Sequence, residues 1–480
     1  MNKHTLTLTA GLTVVLTGCA LTPKYARPQA PVPAAWPTGP AYASQPSTNS
    51  FQLQEWQEFF TDARMQQVIS LAVNNNRDLR LAALNVERAR AYYGIQRAEL
   101  LPTVDAVGRW SKARLPADLS SSGKRQTVER YDAHLGVAAW EIDFFGRIRS
   151  LKDRALEEYL GTEQARRSVQ ILLVSSVAQS YLALAADREA LALAETTLLN
   201  QQSAYDLIKR RFELGLVAEL DLLRAQTPLE VARRDVANYL QRVAQDENAL
   251  NLLAGAPVPG ELLPAGLDQL NPPQKVATGL SSEVLLRRPD VLQAEHQLKA
   301  ANADIGAARA AFFPRISLTA AMGTASSDLS GLFKSGSGAW SYAPQIVMPI
   351  FDARTWSAHS AAKVQREIAV TQYEKTIQAA FREVADALAV RGTVDQQVAA
   401  QQSLTSAFAD TYRLANSRFD KGIDNYLGVL DAQRSLFAAQ QALVFLRLAR
   451  LANDVQLYAV LGGGWEPGKA SGLAAASASP

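Results

Sequence analysis

The 480 residues contain one cysteine, and its neighbours give it a defined chemistry. Cys19 ends the run LTGC, which resembles a bacterial lipobox, where signal cleavage leaves a lipid-bearing cysteine as the first residue. A short basic segment and an apolar stretch from Leu6 to Leu16 precede it, as in a secretory signal. We predict a signal peptide over residues 1–18 and lipidation of Cys19, since a buried free thiol fits poorly in a signal segment.

The residue after this cysteine indicates a destination. Ala20 follows rather than an aspartate, and under the usual bacterial sorting rule this resembles an outer-membrane address. Acyl chains anchor a protein without spanning the bilayer. We therefore expect a lipid-anchored protein of the outer membrane that extends into the periplasm.

The remaining residues predict no further chemistry. A single cysteine excludes an internal disulfide, the four histidines are scattered, and Gly462–Gly464 lacks the ending of a phosphate-binding loop. The 49 basic and 46 acidic residues give a net charge of +3, without the basic stripe of a nucleic-acid-binding protein. We expect no catalysis and no cofactor, metal or nucleic-acid partner.

Much of the chain occurs twice. The segment Arg211–Leu216 (RFELGL) is answered by Arg418–Ile423 (RFDKGI) at an offset of 207 positions. Three matches further upstream share an offset of 212 positions: Gly94 with Gly306, Ala98 with Ala310, and Pro102 with Pro314. A collinear series of this kind indicates internal duplication.

Each half contains one very long predicted helix. Residues 147–214 and 354–421 contain no proline and one glycine each, and a helix of about 65 residues would extend roughly 100 Å. Apolar residues recur every seven positions from Val177 to Phe212, as the seam of a coiled coil requires. Returning helices are expected at 218–254, with a kink at Pro228, and at 424–461.

One uncharged stretch, residues 168–186, is long enough to pass for a transmembrane helix. Its repeat partner near 375–393 carries Arg382, Glu383 and Asp386. Because equivalent elements should share an environment, we reject a membrane position for this helix.

Segments of alternating apolar and polar residues predict four strands, in hairpins at 103–140 and 315–348 with loops at 116–129 and 323–339. Strands of this length with Trp and Tyr at intervals suit an outer-membrane barrel, but a soluble sheet with one buried face would alternate in the same way. The signal peptide and lipobox favour the membrane. Since four strands cannot close a barrel, several copies must pool their strands.

The expected fold class is therefore mainly α with a membrane β-barrel part and an internal duplication. In chain order we expect a signal peptide (1–18), an extended arm (19–59), a first repeat (60–254), a linker (255–280), a second repeat (281–461) and a disordered tail (462–480).

Longer motifs add a family resemblance. They are WEIDFFGRIR at 140–149, RRPDV at 287–291, AAFFP at 310–314, PIFD at 349–352 and GIDNYLGVLDAQRS at 422–435. With the lipobox they make nearly the whole mature chain similar to the outer-membrane factor family of TolC-like channels, nearest to its OprM-like (NodT) lipoprotein branch.

The resemblance implies a homotrimer in which three chains close a 12-stranded barrel and a long coiled-coil-like α-helical periplasmic barrel. It also implies a periplasmic adaptor (membrane fusion protein) and an inner-membrane resistance-nodulation-division transporter. The chain would then be the passive exit duct of a tripartite pump for drugs or other small toxic compounds. Two alternatives stay open: the outer-membrane duct of a type I protein secretion system, and a coiled-coil lipoprotein without a pore.

The resemblance further implies a periplasmic gate. Its acidic ring resembles Asp431, with Arg434 one helical turn on and Asp221 in the first half. From the residues alone, an ordinary surface pair is the favoured interpretation. Phe419 stands where the family commonly has a gate tyrosine, so a hydrogen bond from that hydroxyl is not available here.

Adaptor docking is implied at two turns, Leu214-Gly215-Leu216 and Lys421-Gly422-Ile423. A glycine that supplies a tight turn explains these residues equally well.

Overall fold

The computed structural model describes residues 21–42, 55–274 and 281–464. The predicted signal peptide with Cys19, residues 43–54 of the predicted arm, residues 275–280 of the predicted linker and residues 465–480 of the predicted tail lie outside these residues. The described helices and strands, in chain order, are Trp56–Phe59 (α1), Ala63–Asn75 (α2), Arg77–Ala98 (α3), Val104–Leu115 (β1), Gln126–Glu141 (β2), Arg147–Glu213 (α4), Glu219–Ala254 (α5), Pro289–Ala310 (α6), Arg315–Ser326 (β3), Gly338–Val347 (β4), Ala353–Asp420 (α7) and Tyr426–Val460 (α8).

The order of elements confirms the duplication. The series α3-β1-β2-α4-α5 recurs as α6-β3-β4-α7-α8. The long helices α4 and α7 contain 67 and 68 residues and run without a break. Neither contains proline, which removes a backbone hydrogen bond and clashes with the preceding turn. The returning helix α5 also continues from Glu219 to Ala254 with Pro228 inside it.

The predicted hairpin loops were too long. β2 begins at Gln126, whose partner is Leu115, and β3 continues to Ser326. β4 begins at Gly338, opposite Thr324. The alternation of apolar residues fades before the strands end, whereas the backbone ladder does not depend on side-chain polarity and continues further.

Two other boundaries differ from expectation. The short helix α1 falls inside the segment predicted as an extended arm. The predicted tail begins with an ordered turn at Gly462–Gly464, where the carbonyl of Gly463 accepts a hydrogen bond from the hydroxyl of Tyr458 at 2.6 Å. A run of three glycines permits the positive φ angles that close this turn after α8.

The four strands form one antiparallel sheet in the order β1-β2-β3-β4. Because β2 pairs with β3, the hairpins of the two repeats join in a single sheet. The register sets Leu135 opposite both Ala106 and Met322, and Met322 opposite Trp340. Residues that face each other across strands share a face of the sheet, so the apolar sets of all four strands lie on one face.

The described residues divide into two compact units. The sheet unit takes its described residues from Met1–Gln29, Asn85–Glu163 and Gln293–Tyr373. The helix unit takes them from Ala30–Leu84, Gln164–Leu292 and Glu374–Pro480.

In the sheet unit, the N-terminal arm is attached to α6. Arg27 donates two hydrogen bonds to the carboxylate of the buried Glu295, at 3.1 and 2.6 Å, and the hydroxyl of Tyr25 donates a third at 3.1 Å. Further along α6, Asn302 donates to the carbonyl of Pro23 at 2.8 Å. Burial alone would raise the pKa of Glu295, but the hydrogen bond from Arg27 and the charge of Lys299 hold this pKa below its usual value.

In the helix unit, α4 supplies much of the core. It contains a stretch that is long and apolar enough to cross a bilayer by composition, yet 56% of that stretch is buried in the protein. Val177 and Leu184 of the seven-residue seam are fully buried, and the hydroxyl of Tyr181 donates to the carbonyl of Leu262 at 2.8 Å. The rejection of a membrane position for this segment therefore agrees with its packing.

Candidate functional site

The apolar face of the sheet is uncovered. Met322 and Trp340, which are paired across β3 and β4, are 74% and 81% exposed, and Trp110 and Leu135 are exposed as well. A soluble sheet would bury such a face against the rest of its own chain. In the described residues nothing covers it, and Trp and Tyr side chains on a continuous apolar surface are typical of strands that face lipid. The face is therefore suited to the hydrocarbon of a bilayer.

The two outer strands have free backbone edges. In the described part of the chain, β1 pairs only with β2 and β4 only with β3. A free edge inside a bilayer leaves N–H and C=O groups without partners, at a cost of several kcal/mol each. The sheet in one chain is thus incomplete as a membrane structure.

The helix unit contains two turns of the same geometry, which we call the tip turns: residues 214–218 between α4 and α5, and residues 421–425 between α7 and α8. Gly215 and Gly422 both have a φ of +72°, a left-handed conformation that favours glycine. Each closes its long helix with a six-to-one hydrogen bond of 2.9 Å, from the N–H of Leu216 to the carbonyl of Arg211 and from Ile423 to Arg418. This is a Schellman motif.

The residues expected to dock an adaptor present apolar surface. The side chains of Leu214, Leu216 and Ile423 are exposed at the tip turns, and Lys421 is exposed beside them. Gly422 has no other atom near the position of a β-carbon, so steric crowding does not explain the choice of glycine there. The left-handed turn does.

A cation–π contact joins the end of α4 to the end of α7, beside the two tip turns. The ring of Phe419 packs against that of Tyr426 with 5.0 Å between centroids, and the guanidinium of Arg211 lies 5.2 Å from the Phe419 centroid. Burial, with a smaller contribution from Tyr412, raises the pKa of Tyr426 to about 12. Phe419, predicted as a gate residue, is therefore held between one residue from each repeat.

The predicted gate carboxylates both form ion pairs with an arginine three positions on. Asp431 accepts from Arg434 at 2.6 Å, and Asp221 lies 3.8 Å from Arg224. The structure brings Asp431 and Arg434 together as expected. Within one chain the other two predicted gate residues, Asp221 and Phe419, have partners of their own.

Sequence reasoning missed Arg211, Arg224 and Tyr426. For Arg211, the comparison of the two repeats contained a signal. Arg418 forms a bidentate ion pair with Asp424 at 2.5 and 3.1 Å, and the matching position of the first repeat is Val217. Arg211, the counterpart of Arg418, thus lacks the carboxylate that the second repeat provides.

A carboxylate pair lies elsewhere in the helix unit, between Asp187 of α4 and Asp246 of α5. Burial, followed by the negative charge of Asp187, raises the pKa of Asp246 to about 6, and Arg242 opposes this shift. Among the described residues no group of three His, Cys, Asp or Glu side chains is arranged to hold a metal ion.

Comparison with known proteins assigns the chain to a family. The sequence model of the family described as outer membrane efflux protein matches residues 68–256 and 280–463. The chain belongs to the outer membrane efflux protein family. The two matched segments correspond to the two repeats, because the family model matches each half of the chain once.

Relatives in this family match over almost the full length. The antibiotic efflux pump outer membrane protein ArpC of Pseudomonas putida is 49% identical over 470 residues, which cover 97% of this chain and 96% of that protein. The toluene efflux pump outer membrane protein TtgC, also of Pseudomonas putida, matches with the same identity and coverage.

A solved structure gives the same result for the fold. The open state of the MtrE outer membrane channel of Neisseria gonorrhoeae is 36% identical, with a TM-score of 0.83 over 93% of this chain and 98% of that one. The resemblance drawn from the motifs and the expected fold class are thereby confirmed. The protein is an outer-membrane efflux protein with the fold of a membrane channel.

Proposed function

We propose that this chain forms the exit duct of a tripartite efflux pump and passively exports drugs, solvents or other small toxic compounds. The observation that carries the proposal is the uncovered apolar face shared by four strands with two free edges. Such a sheet needs both lipid and further copies of itself. The names of ArpC and TtgC, an antibiotic and a toluene efflux protein, support the class of exported compound.

Strand number supports three copies. Two chains would supply eight strands, the smallest bacterial barrel, and the interior of an eight-stranded barrel is filled by its own side chains. Three chains supply twelve, which leaves an open lumen. A homotrimer is thus the smallest assembly that can act as a duct.

The tip turns would form the periplasmic end of this duct. We assign the gate to Asp431, Arg434, Asp221 and Phe419. The threefold symmetry of the trimer would place three copies of each residue around the opening. The exposed apolar residues Leu214, Leu216 and Ile423 with Lys421 would dock a periplasmic adaptor, through which an inner-membrane resistance-nodulation-division transporter delivers its cargo. The chain itself would catalyse no reaction.

Lipidation at Cys19 would add an anchor in the outer membrane. Metabolic labelling with a palmitate analogue should mark the wild-type protein and leave Cys19→Ser unmarked. Equal labelling of the two proteins would remove the lipid anchor from the proposal.

Gene deletion tests the function as a whole. Loss of the chain should lower tolerance to toluene and antibiotics and leave protein export unchanged, and the purified protein should conduct ions in a planar bilayer. Loss of protein export with unchanged drug tolerance would favour a type I secretion duct. A protein that inserts but never conducts would favour a structural lipoprotein.

A further inference from the structure

On the lipid-facing side of the sheet, the apolar residues of β1 and β2 end at two stacked aromatic rings. Trp110 and Tyr131 are paired across the two strands, with 6.3 Å between their centroids. Aromatic girdles of this kind mark the level at which a barrel strand passes from hydrocarbon to headgroups. Both strands continue past the rings to the loop at 116–125, whereas their other ends lead into α3 and α4. The strand ends beyond the rings therefore belong at the headgroups of the leaflet opposite the helices.

Beyond the rings, the same face carries positive charge. Because side chains alternate along a strand, Lys112 and Arg114 continue the lipid-facing series of β1, and Arg125, directly before β2, continues that of β2. All three are exposed. Glu129, opposite Lys112 in the register, contacts that lysine. In the part of the chain that the structure describes, Arg114 and Arg125 have no acidic partner. Three cations thus stand against one carboxylate at this rim of the sheet.

Several arginines elsewhere in the sheet unit do have carboxylate partners. On the opposite face of the sheet, Arg130 donates to the buried Asp132 at 2.8 Å. At the strand ends that lead into the helices, Arg315 and Arg147 both contact Glu141, at 3.0 and 2.8 Å. The uncompensated charge beyond the aromatic rings is therefore a local feature of one rim.

We propose that Lys112, Arg114 and Arg125 bind the phosphate groups of an outer-leaflet glycolipid of the lipid A class. The proposal rests on the outer-membrane position of the sheet and not on the compounds that the duct exports. A guanidinium binds two phosphate oxygens at once, with charge-assisted hydrogen bonds. The position of the cations selects a lipid over a free anion, because acyl chains can lie on the apolar face while the phosphates of the same molecule reach the rim.

The function of this site would be to keep the outer leaflet packed against the barrel. Neighbouring phosphates repel one another unless cations lie between them. In the proposed trimer the site would recur three times, so the protein itself would supply cations where lipid meets protein. Exported compounds would then find no gap along the barrel through which to return.

Binding of labelled lipid A to the purified full-length protein in phosphatidylcholine nanodiscs tests the site. Each cation near an anionic headgroup should lower the Kd about fivefold, so the double variant Arg114→Gln, Arg125→Gln should raise the Kd for bisphosphorylated lipid A about 25-fold. Dephosphorylated lipid A should bind the wild type as weakly as bisphosphorylated lipid A binds this variant. Arg114→Lys keeps the charge and should stay close to the wild type.

Arg109→Gln is the matched control. It removes the same charge from β1 but on the opposite face, where Arg109 lies across from Asp132. Its Kd for lipid A should equal that of the wild type. All variants should keep their assembly in mild detergent, because none of them changes the apolar face.

Three results would overturn the lipid site: equal binding of phosphorylated and dephosphorylated lipid A, an unchanged Kd in the double variant, or an equal loss in Arg109→Gln. Displacement of lipid A by inorganic phosphate at equal phosphate concentration would also overturn it, since the rim would then bind free anions. The double variant should conduct in planar bilayers like the wild type. If both conduct while the lipid test fails, the exit duct stands without the lipid site. If neither conducts, the duct fails, and the binding data still decide the lipid site.

Discussion

Asp431 and Arg434 form an ion pair that contributes little to stability in one chain. A trimer would contain three copies of this pair, and their contributions would add. The two side chains are 64% and 81% exposed, and an exposed pair contributes about 0–1 kcal/mol. Around a threefold axis, three Asp431 carboxylates would face one another, and like charges oppose their joint ionisation. In the proposed gate, Arg434 would offset that repulsion.

Asp431→Ala or Arg434→Ala should therefore raise single-channel conductance and leave assembly unchanged. Entry of large antibiotics such as vancomycin into cells should rise with it. An unchanged conductance in the double variant would mean that other residues, such as Phe419 with its aromatic partner, close the duct.

The pair Asp187 and Asp246 predicts a pH dependence. The folded-state pKa of Asp246 is about 6, above its unfolded value of 3.8, so the folded protein binds the proton more tightly. Stability therefore falls as pH rises from about 4 to about 6 and stays reduced above that range. Asp246→Asn should raise the unfolding temperature at pH 7.5, and the gain should shrink at pH 5. A gain that is equal at both pH values would show that the carboxylate pair is not its source.

At the scale of single residues, the sequence predicts local pairs better than distant ones. The spacing of Asp431 and Arg434 indicates their ion pair because residues three apart are neighbours on a helix. Nothing local links Arg211 to Phe419, which follows some two hundred positions later. That contact depends on how two hairpins pack, and only the comparison of matching positions hints at it.

Helices and strands differ in how far the sequence defines their ends. The long helices end at the tip turns because a glycine in the left-handed conformation stops each one, and RFELGL and RFDKGI predict this directly. The strands continue past the alternating residues, since a neighbouring strand stabilises them through the backbone. The face of the sheet that meets lipid could be predicted as a pattern, but its exposure could not, because a buried face alternates in the same way.

The tip turns carry a prediction at the same scale. Leu216→Asp or Ile423→Asp places a charge on the proposed docking surface and should abolish export while trimer and membrane insertion persist. Leu252→Asp, at the other end of α5, is a matched control because its side chain is 80% exposed against 70% for Leu216. If export survives charge at both tip positions, the adaptor binds elsewhere.

At the scale of the whole molecule, closure of the barrel requires partners. Cross-linking or mass measurement in mild detergent should give three copies of the chain, since four strands with two free edges cannot close. A stable, folded monomer in the outer membrane would contradict the strand argument altogether.

The free edges of β1 and β4 also have a genetic consequence. Each chain must accept a neighbour on one edge and offer itself on the other, so subunits from two alleles mix in the same ring. With equal expression and free mixing, only roughly one trimer in eight would contain three intact chains. An allele that damages the tip but still pairs its strands is therefore dominant negative, whereas an allele that destroys the strands is recessive, because its product never enters the ring.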